Sequence, residues 1–344
     1  MSTSLLLFVA TAVLFDFLNG FHDSSNVVST MISSRALSPR QALTITAIAE
    51  FIGPFVFGVA VATTIGHQVL APDVLSIAVI FAGLVSAVLW NLLTWYLGVP
   101  SSSSHALIGG LLGAAICRSA LRQAGVGLDT VNDVWRIFAV VETKGLLKVV
   151  AALLLSPLFG LVAGFVIMKL LRFFSRGAGP GINGFFKHGQ VATAIGLALS
   201  HGSNDAQKTM GVITMGLVAS GALAKFEVPI WVVALSALSI SLGTAFGGWR
   251  LIHTLGGKFY KIRPVHGFTT QLSAAAVILG AAIVGGPVST TQVVSSAIMG
   301  AGSAERISKV RWHVGMQIAL TWIVTIPSTA VVAALIYLVV GRFL

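Results

Sequence analysis

Residues 19–26 carry the sequence Asn-Gly-Phe-His-Asp-Ser-Ser-Asn, and residues 201–208 carry the sequence His-Gly-Ser-Asn-Asp-Ala-Gln-Lys. The two stretches align with Asp23 opposite Asp205, at an offset of 182 residues. Each lies in a long stretch that is otherwise mainly apolar. One such match could arise by chance, so a second match in nearly the same register is the observation that decides the fold.

That second match joins residues 98–105, Gly-Val-Pro-Ser-Ser-Ser-Ser-His, to residues 285–292, Gly-Gly-Pro-Val-Ser-Thr-Thr-Gln. Pro100 and Pro287 occupy equivalent places, at an offset of 187 residues. Because the two offsets differ by only a few residues, the matches predict an internal duplication of the chain. Paired interruptions of this kind in apolar sequence indicate a transporter binding site.

The composition predicts a polytopic membrane protein. Of the 344 residues, 56% are apolar and 9% are charged, against roughly 25% charged in a soluble domain. A membrane crossing needs about 20 mainly apolar residues. Several stretches free of Asp, Glu, Lys and Arg meet that length: Phe51 to Pro72, Val149 to Met168, Val228 to Trp249 and Trp312 to Gly341. A soluble multidomain protein is excluded.

Other features of the composition exclude further classes of protein. Met1 to Phe17 lacks the basic leader of a secretory signal and is interpreted as a retained first helix. Cys117 is the only cysteine, which excludes an intramolecular disulfide framework and a multi-cysteine metal cage. The net charge of +11 comes without a basic stripe interleaved with aromatics, so no nucleic-acid partner is expected.

The uncharged runs divide into ten predicted crossings, five in each half of the chain. Val74 to Cys117 and Pro264 to Ala304 are each too long for one crossing, and their proline and hydroxyl clusters split them in two. The predicted crossings are 4–37, 41–66, 74–97, 98–120, 146–171, 189–223, 229–250, 268–285, 286–304 and 313–341. An odd number of crossings per repeat inverts one half relative to the other.

The predicted fold is therefore all-α, with two inverted repeats and broken helices at the midplane. The predicted division is a first repeat over 1–171, a cytoplasmic linker over 172–188 and a second repeat over 189–344, with a short external connection over 123–143. Lys and Arg are enriched in cytoplasmic loops. With both termini outside, the inside loops and helix ends carry many cations and a single acid, Glu305. We expect a multi-pass protein of the cell membrane, in contact with lipid.

Four carboxylates fall inside predicted crossings: Asp16, Asp23, Glu50 and Asp205. A charge at membrane depth costs at least roughly 2.5 kcal/mol and marks an ion or substrate pathway by default. Asp23 and Asp205 matter most because the duplication makes them equivalent, whereas Asp16 has no match and could instead pair with a neighbour. Asn19-Gly20 and Gly202-Ser203 predict unwound helices whose free carbonyls would join these acids in a cation or proton site.

The two hydroxyl clusters predict an oxyanion site. Proline is tolerated in the first turn of a helix, so we expect a half-helix to begin at Pro100 and another at Pro287. Free backbone N–H groups at a helix N-terminus bind anions, and two tips related by inversion would meet near the bilayer centre. The alternative is that these Ser and Thr residues only let helices pack closely.

The remaining polar residues of the predicted crossings give less specific signals. His22 and His201 flank the two aspartates and could titrate near neutral pH, while His105 is a gating or packing group and Lys208 could pair with a carboxylate or attract an anion. We expect no metal site, because metal-ligand spacing is missing. Ser104 and His105 lack the third group of a triad, so we expect no catalytic residues and not an intramembrane protease. A passive anion channel is a third alternative.

Together, the two aspartate stretches and the Pro-Ser-Ser-Ser-Ser-His run of residues 100–105 resemble the inorganic phosphate transporter (PiT) family over essentially the whole chain. The resemblance implies symport of inorganic phosphate with H+ or Na+ and no other cofactor. Na+-coupled members usually carry Asn at the position of His22. The form with His is similar to a bacterial low-affinity branch that is associated with proton coupling and metal-phosphate complexes.

The resemblance also assigns residues. The phosphate site it implies is Ser102, Ser103, Ser104, Asn204, Gln207, Ser289, Thr290 and Thr291. The coupling-cation site is Asp23, Asn26 and Asp205, and Glu50 is added to it because it lies inside a predicted crossing. His22, His105, His201 and Lys208 are the candidate proton or gating groups. The family has sulfate-carrying relatives, so a permease for sulfate or another oxyanion is the alternative function, and a homodimer is an assembly that the prediction allows.

Overall fold

The computed structural model describes residues 3–68, 70–71, 74–124 and 137–343. Within these residues, the first half of the chain contains the helices α1 (Thr3–Ser33), α2 (Pro39–Phe57), α3 (Ala60–Gln68), α4 (Ile77–Leu97), α5 (Ser103–Ala124) and α6 (Thr143–Phe174). The second half repeats the order: α7 (Ile182–Ala219), α8 (Ile230–Phe246), α9 (Trp249–Gly257), α10 (Pro264–Ile283), α11 (Thr290–Ser303) and α12 (Trp312–Val340). The all-α prediction is confirmed.

Local sequence explains where several of these helices begin and end. Ser38 caps α2 by accepting from the Gln41 amide, and Pro39 occupies the first turn, where its missing N–H costs nothing. Ser76 caps α4 in the same way, and α4 ends at Gly98 with φ +66°. A positive φ of this size suits glycine because it has no Cβ to clash with the backbone.

The helices form a multi-pass membrane protein. Six of them, α1, α4, α5, α6, α10 and α12, are long and apolar enough to cross a membrane, and two bent pairs raise the number to as many as eight. The outer surface is apolar, as at Leu154 on α6 and Ile323 on α12, which are 67% and 71% exposed. Helix α11 has only 14 residues, about 21 Å, and is too short to cross, whereas its equivalent in the first half, α5, has 22. We call both of them half-helices because each begins at a proline-containing break in an uncharged run.

The two bent pairs occupy equivalent places in the two halves. Helices α2 and α3 meet at an angle of 78° next to Gly58, and α8 and α9 meet at 71° beside Gly247. The φ values of these glycines, +76° and +74°, belong to a region that side chains with a Cβ rarely adopt. The expectation of broken helices is thus confirmed at these joints.

Helices α1 and α7 are not broken, which corrects the prediction of unwound backbone at Asn19-Gly20 and Gly202-Ser203. Both helices run through their glycines without interruption. A Cβ on Gly20 would lie 2.9 Å from the Ile240 carbonyl carbon, and one on Gly202 would lie 2.8 Å from the Glu50 Cα. These glycines serve close helix crossings, as small residues do in membranes.

The same crossings use a second pair of glycines from the opposite side. A Cβ on Gly243 would lie 2.8 Å from the Phe21 nitrogen, and one on Gly53 would lie 3.0 Å from the Ser203 nitrogen. The crossing of α1 with α8 is therefore equivalent to the crossing of α7 with α2, because each has a glycine on both of its helices. Each crossing joins one half of the chain to the other, so the two halves interlock.

Half-helices α5 and α11 begin three residues after the prolines, which corrects the expected start at Pro100 and Pro287. Ser102 accepts a hydrogen bond from the His105 amide at 3.2 Å, and Ser289 accepts one from the Gln292 amide at 3.4 Å. Serine is a better N-cap than proline because its hydroxyl accepts from a backbone N–H that has no partner inside the helix. Equivalent serines therefore cap both half-helices.

Glu305, the one acid predicted to lie in a cytoplasmic loop, is surrounded by basic side chains. Arg263 and Lys309 both form ion pairs with it, and the His266 ring lies 3.2 Å away. Partial burial raises the pKa of Glu305, but the hydrogen bond from Lys309 and the charge of Arg263 hold it below its usual value.

The non-helical connection between the halves spans 175–181, inside the predicted linker. Much of the predicted connection over 123–143 lies outside the described residues.

Among the described residues, polar side chains separate the two large clusters of the apolar core. On α1, Phe15 belongs to one cluster and Val27 to the other. On α7, Ala198 belongs to the second cluster and Met210 to the first. The polar stretches between these residues are the two aspartate stretches, which consequently lie side by side at the centre of the protein.

Candidate functional site

The two aspartates that the duplication makes equivalent meet at the hydroxyl of Thr290. The Thr290 Oγ1 lies 3.1 Å from the Asp23 Oδ2 and 3.3 Å from the Asp205 Oδ2. A hydroxyl has one proton to donate, so it can satisfy only one of these carboxylates at a time. We call Asp23, Asp205, Thr290 and His201 the acidic centre. Each of the four is at most 1% exposed.

His201 connects the acidic centre to Glu50. Its Nδ1 lies 2.8 Å from the Glu50 Oε1, and its Nε2 lies 3.4 Å from the Asp205 Oδ2 and 4.0 Å from the Asp23 Oδ2. Thr244 donates to the other Glu50 oxygen at 2.5 Å. The His201 ring can donate towards Glu50 and Asp205 at the same time only if both of its nitrogens carry a proton.

The acidic centre has the geometry of a cation site. One ligand atom each from Asp23, His201 and Asp205 lies within 4.8 Å of the others. Carboxylate oxygens are the ligands of hard cations, and an imidazole can take a proton instead. The expectation that the chain has no resident metal stays a prediction.

Each aspartate has a second link to a half-helix tip, direct for Asp23 and through Lys208 for Asp205. Thr291 donates to the Asp23 Oδ1 at 3.0 Å, and the Asn26 amide donates to Thr291 at 3.0 Å. On the other side, Lys208 donates to the Asp205 Oδ1 at 2.7 Å and to Ser104 at 2.6 Å. Thr291 and Ser104 are equivalent positions of the second match in the duplication.

His22 and Asn204, which are equivalent in the duplication, anchor the breaks before the two half-helices. The His22 Nδ1 lies 2.9 Å from the Asp23 Oδ1, and its Nε2 lies 3.5 Å from the Ser101 hydroxyl. The Asn204 side chain donates to the Gly286 carbonyl at 3.2 Å and accepts from the Val288 amide at 3.3 Å. Each aspartate stretch thus holds the break that precedes one half-helix.

The tips of the two half-helices touch each other, as the sequence predicts. The Ser104 hydroxyl donates to the Val288 carbonyl at 3.1 Å, and the Gln292 Nε2 lies 3.5 Å from the His105 Nδ1. His105 also contacts its own N-cap, Ser102, at 2.6 Å. His105 and Gln292 are equivalent residues, and their contact places them next to the approximate two-fold axis.

Two predicted phosphate ligands make no recorded contact with the acidic centre, and the side chain of one of them, Gln207, bonds to α3 instead. The Gln207 carboxamide oxygen accepts from the amides of Val61 and Ala62, at 2.7 and 3.3 Å, so it caps α3 at the Gly58 joint. Ser103 is buried in the first turn of α5. Their roles in binding stay predictions.

Sequence reasoning missed several residues of the site. Asn19 donates to the Asp205 Oδ2 at 3.4 Å, and its equivalence to His201 in the duplication is the signal that could have found it. Ser101 and Thr94 share a hydrogen bond of 2.8 Å beside His22. Thr244, the partner of Glu50, lies in a predicted crossing with no signal that distinguishes it from other hydroxyl residues.

Asp16 is buried on α1, two turns before Asp23, and neither of its oxygens has a hydrogen-bond partner among the described residues. The Thr209 hydroxyl on α7 lies close enough to interact with Asp16, so the alternative that Asp16 pairs with a neighbour stays a prediction. A buried carboxylate without partners is costly when charged. A neutral amide of the same shape would avoid that cost.

We expect Asp16→Asn to leave the free energy of unfolding unchanged or higher. Glu50→Gln is the matched control, since it weakens the bonds to His201 and Thr244 and should lower that free energy by about 1.5–3 kcal/mol. Thermal unfolding of both purified variants measures the difference. An equal loss of stability in the two would contradict the expectation.

The chain matches known proteins over nearly all of its length. Residues 19–333 match the model of a family described as the phosphate transporter family. A protein of Bacillus subtilis (strain 168), named a probable low-affinity inorganic phosphate transporter, is 39% identical over 340 residues, which are 98% of this chain and 97% of that protein. A protein of the same name from Rhizobium meliloti (strain 1021) is 40% identical over 331 residues, 96% of this chain and 94% of that protein.

A solved structure shares the fold. It is titled as the sodium-dependent phosphate transporter, and it superposes with a TM-score of 0.85 over the whole of both chains at 23% identity. At that identity the likeness concerns the arrangement of the helices.

Proposed function

The chain belongs to the phosphate transporter family, which is a family of transporters and not of enzymes, and from this premise we propose that it is a secondary active transporter. It carries inorganic phosphate together with H+ or Na+ by alternating access. The observation that carries the proposal is the meeting of two buried carboxylates, one from each half, at a hydroxyl in the first turn of a half-helix.

Coupling follows from charge. A bare carboxylate beside phosphate repels it, strongly so in a low-dielectric interior. When Asp23 and Asp205 bind a cation or a proton, that repulsion falls, and the hydroxyls of Thr290 and Thr291 no longer have to donate to the acids. Binding of cation and anion is therefore mutually dependent. Asn26 and Glu50 complete the proposed cation site through Thr291 and His201.

The half-helix tips supply the phosphate site. The first N–H groups of a helix have no partner inside the helix, and they attract anions. The hydroxyls proposed to bind phosphate are Ser102, Ser103, Ser104, Ser289, Thr290 and Thr291, with Asn204 holding the second tip in place. Gln207 acts at a distance, by fixing the α2/α3 joint.

Alternating access is proposed because the acidic centre is closed to solvent in this conformation. Phosphate can reach it only after the helices move. We propose that the repeats of residues 1–171 and 189–344 rock around the loaded site, joined by the linker of residues 172–188. The protein is proposed to lie in the cell membrane with both termini outside.

The coupling ion is proposed to be H+ or Na+. His22 in contact with Asp23, and His201 between three carboxylates, favour a proton. The structural relative is titled sodium-dependent, which supports Na+ as the alternative. A metal-phosphate complex is a further form in which the substrate could be carried, and sulfate is the alternative anion.

The proposal is tested by phosphate uptake into proteoliposomes that contain the purified protein, under imposed H+ or Na+ gradients. We expect accumulation driven by one gradient and competition by arsenate, which has the shape and charge of phosphate. Competition by sulfate alone would assign the chain to the alternative function. Ion currents far above the turnover of a carrier would indicate a channel.

Thr290→Val is expected to reduce that uptake by about tenfold to a hundredfold, the size of a typical coupling between two ligands. Valine has the shape of threonine but cannot link the two carboxylates or donate to an anion. Thr290→Ser is the matched control, because it keeps the hydroxyl and should retain most of the uptake. Equal uptake by the two variants would exclude a role for the hydroxyl.

A further inference from the structure

Lys208 is a fully buried cation with three fixed oxygen partners. Its Nζ lies 2.7 Å from the Asp205 Oδ1, 2.6 Å from the Ser104 Oγ and 3.0 Å from the Val288 carbonyl oxygen. The side chain is 1% exposed. Removing a lysine from water is expensive unless its charge is compensated, and here all three partners point at the ammonium group.

The three partners form the kind of oxygen set that binds a hard cation. Carboxylate, hydroxyl and backbone carbonyl oxygens are the ligands that such ions take in proteins. Ser104 accepts from Lys208 and donates its own proton to Val288, so its lone pairs face the ammonium. The Nζ atom thus lies where a bound cation would lie.

The equivalent position in the first half carries no charge. Asn26 occupies it and donates to Thr291, the equivalent of Ser104. Thr291 in turn donates to Asp23. The groups that face Asp23 are the hydroxyls of Thr290 and Thr291 and the imidazoles of His22 and His201. The charge of an imidazole depends on its protonation. Of the two equivalent acids, only Asp205 has a permanent cation held against it.

We propose that the Lys208 ammonium is a tethered substitute for a dissolved cation, which fills one of two equivalent cation sites. A shorter neutral side chain at position 208 would open this site to a monovalent cation such as Na+. The ligands would be the Asp205 Oδ1, the Ser104 hydroxyl and the Val288 carbonyl. The consequence is that this chain needs one dissolved cation fewer than a chain that has Asn at both position 26 and position 208. This consequence for coupling rests on the function proposed above, whereas the binding site itself does not.

The test compares thermal unfolding of purified protein in NaCl and in choline chloride at equal ionic strength. Lys208→Asn is expected to unfold at a lower temperature than the wild type in choline chloride. It should gain a saturable stabilisation by Na+ of about 5 °C beyond any shift of the wild type, at about 100 times the dissociation constant. Lys208→Met, which offers no oxygen ligand and no room, should lose stability without the added Na+ response.

Two controls make the result decisive. Lys148→Asn makes the same change at a lysine that donates to the hydroxyl of Thr64, and it should show no added response to Na+. The double variant Asp205→Asn, Lys208→Asn removes both charges, so it should fold without Na+ and not respond to it. A folded Lys208→Asn without an added Na+ response would overturn the proposal. So would a Lys208→Asn that fails to fold in either salt while the double variant folds.

Uptake separates this inference from the proposed function. Replacing Na+ by choline should reduce phosphate uptake by Lys208→Asn proteoliposomes about tenfold more than it reduces uptake by the wild type. If the wild type moves no phosphate under any gradient, the proposed function fails and the unfolding result still decides the binding site. If the wild type transports and the variant is indifferent to Na+ in both assays, the inference fails alone.

Discussion

Asp23→Asn is expected to reduce cation-coupled phosphate uptake by about a hundredfold, near the upper end of typical coupling between two ligands, while the protein remains folded. Asparagine has the shape of aspartate and its oxygen can still accept from Thr291 or Thr290. It cannot take up a proton or neutralise a cation. The loss would therefore come from coupling and not from misfolding, as thermal unfolding of the variant would show.

Asp205→Asn should reduce uptake to a similar extent but also destabilise the protein. It leaves the ammonium of Lys208 buried without its carboxylate, and breaking a buried pair in this way costs about 3–5 kcal/mol. Glu227→Gln changes an exposed acid outside the site and is the control for both variants. Intact uptake by an Asp23→Asn, Asp205→Asn double variant would refute the coupling role of the two acids.

The second large effect is expected from Gly202→Ala, at the crossing of α7 and α2. The added Cβ would lie 2.8 Å from the Glu50 Cα and closer still to its carbonyl oxygen. Backbone atoms stand on both sides, so no flexible side chain can move away, and overpacking of this kind costs about 1–3 kcal/mol or more. The shift would also displace Glu50 from His201, so we expect a lower unfolding temperature together with loss of uptake.

Gly196→Ala is the matched control on the same helix. A Cβ there meets nothing within 4 Å, and replacing glycine by alanine inside a helix gains about 0.5–1 kcal/mol. Thermal unfolding of the two variants side by side measures the difference. If Gly202→Ala unfolded at the same temperature as Gly196→Ala, the close crossing would not be a determinant of stability.

The sequence could predict the internal duplication and the pairs of residues that occupy equivalent positions in its two halves. Asp23 and Asp205, and the two hydroxyl clusters, were found because the same residues recur in one register, and the structure brings them together. Helix order and the half-helices followed from the length of the uncharged runs. These features depend on the local sequence, which is why pattern alone was sufficient.

What the sequence could not predict depends on contacts between distant residues. Gly20 and Gly202 suit an unwound helix as well as a close crossing, and only the carbonyls of Ile240 and Glu50 opposite them distinguish the two. The bond between His201 and Glu50 joins residues 151 positions apart. Gln207 sits in the aspartate stretch, yet its side chain turns to α3, because a helix presents successive residues to different neighbours.

The joints at Gly58 and Gly247 are images of each other under the approximate two-fold axis beside His105 and Gln292. If the two halves were identical, exchanging their conformations would turn an outward-facing protein into an inward-facing one of equal free energy. Any resting preference between those two orientations must therefore originate in positions where the halves differ. Lys208 opposite Asn26 and His22 opposite Asn204 are two such positions at the centre of the protein.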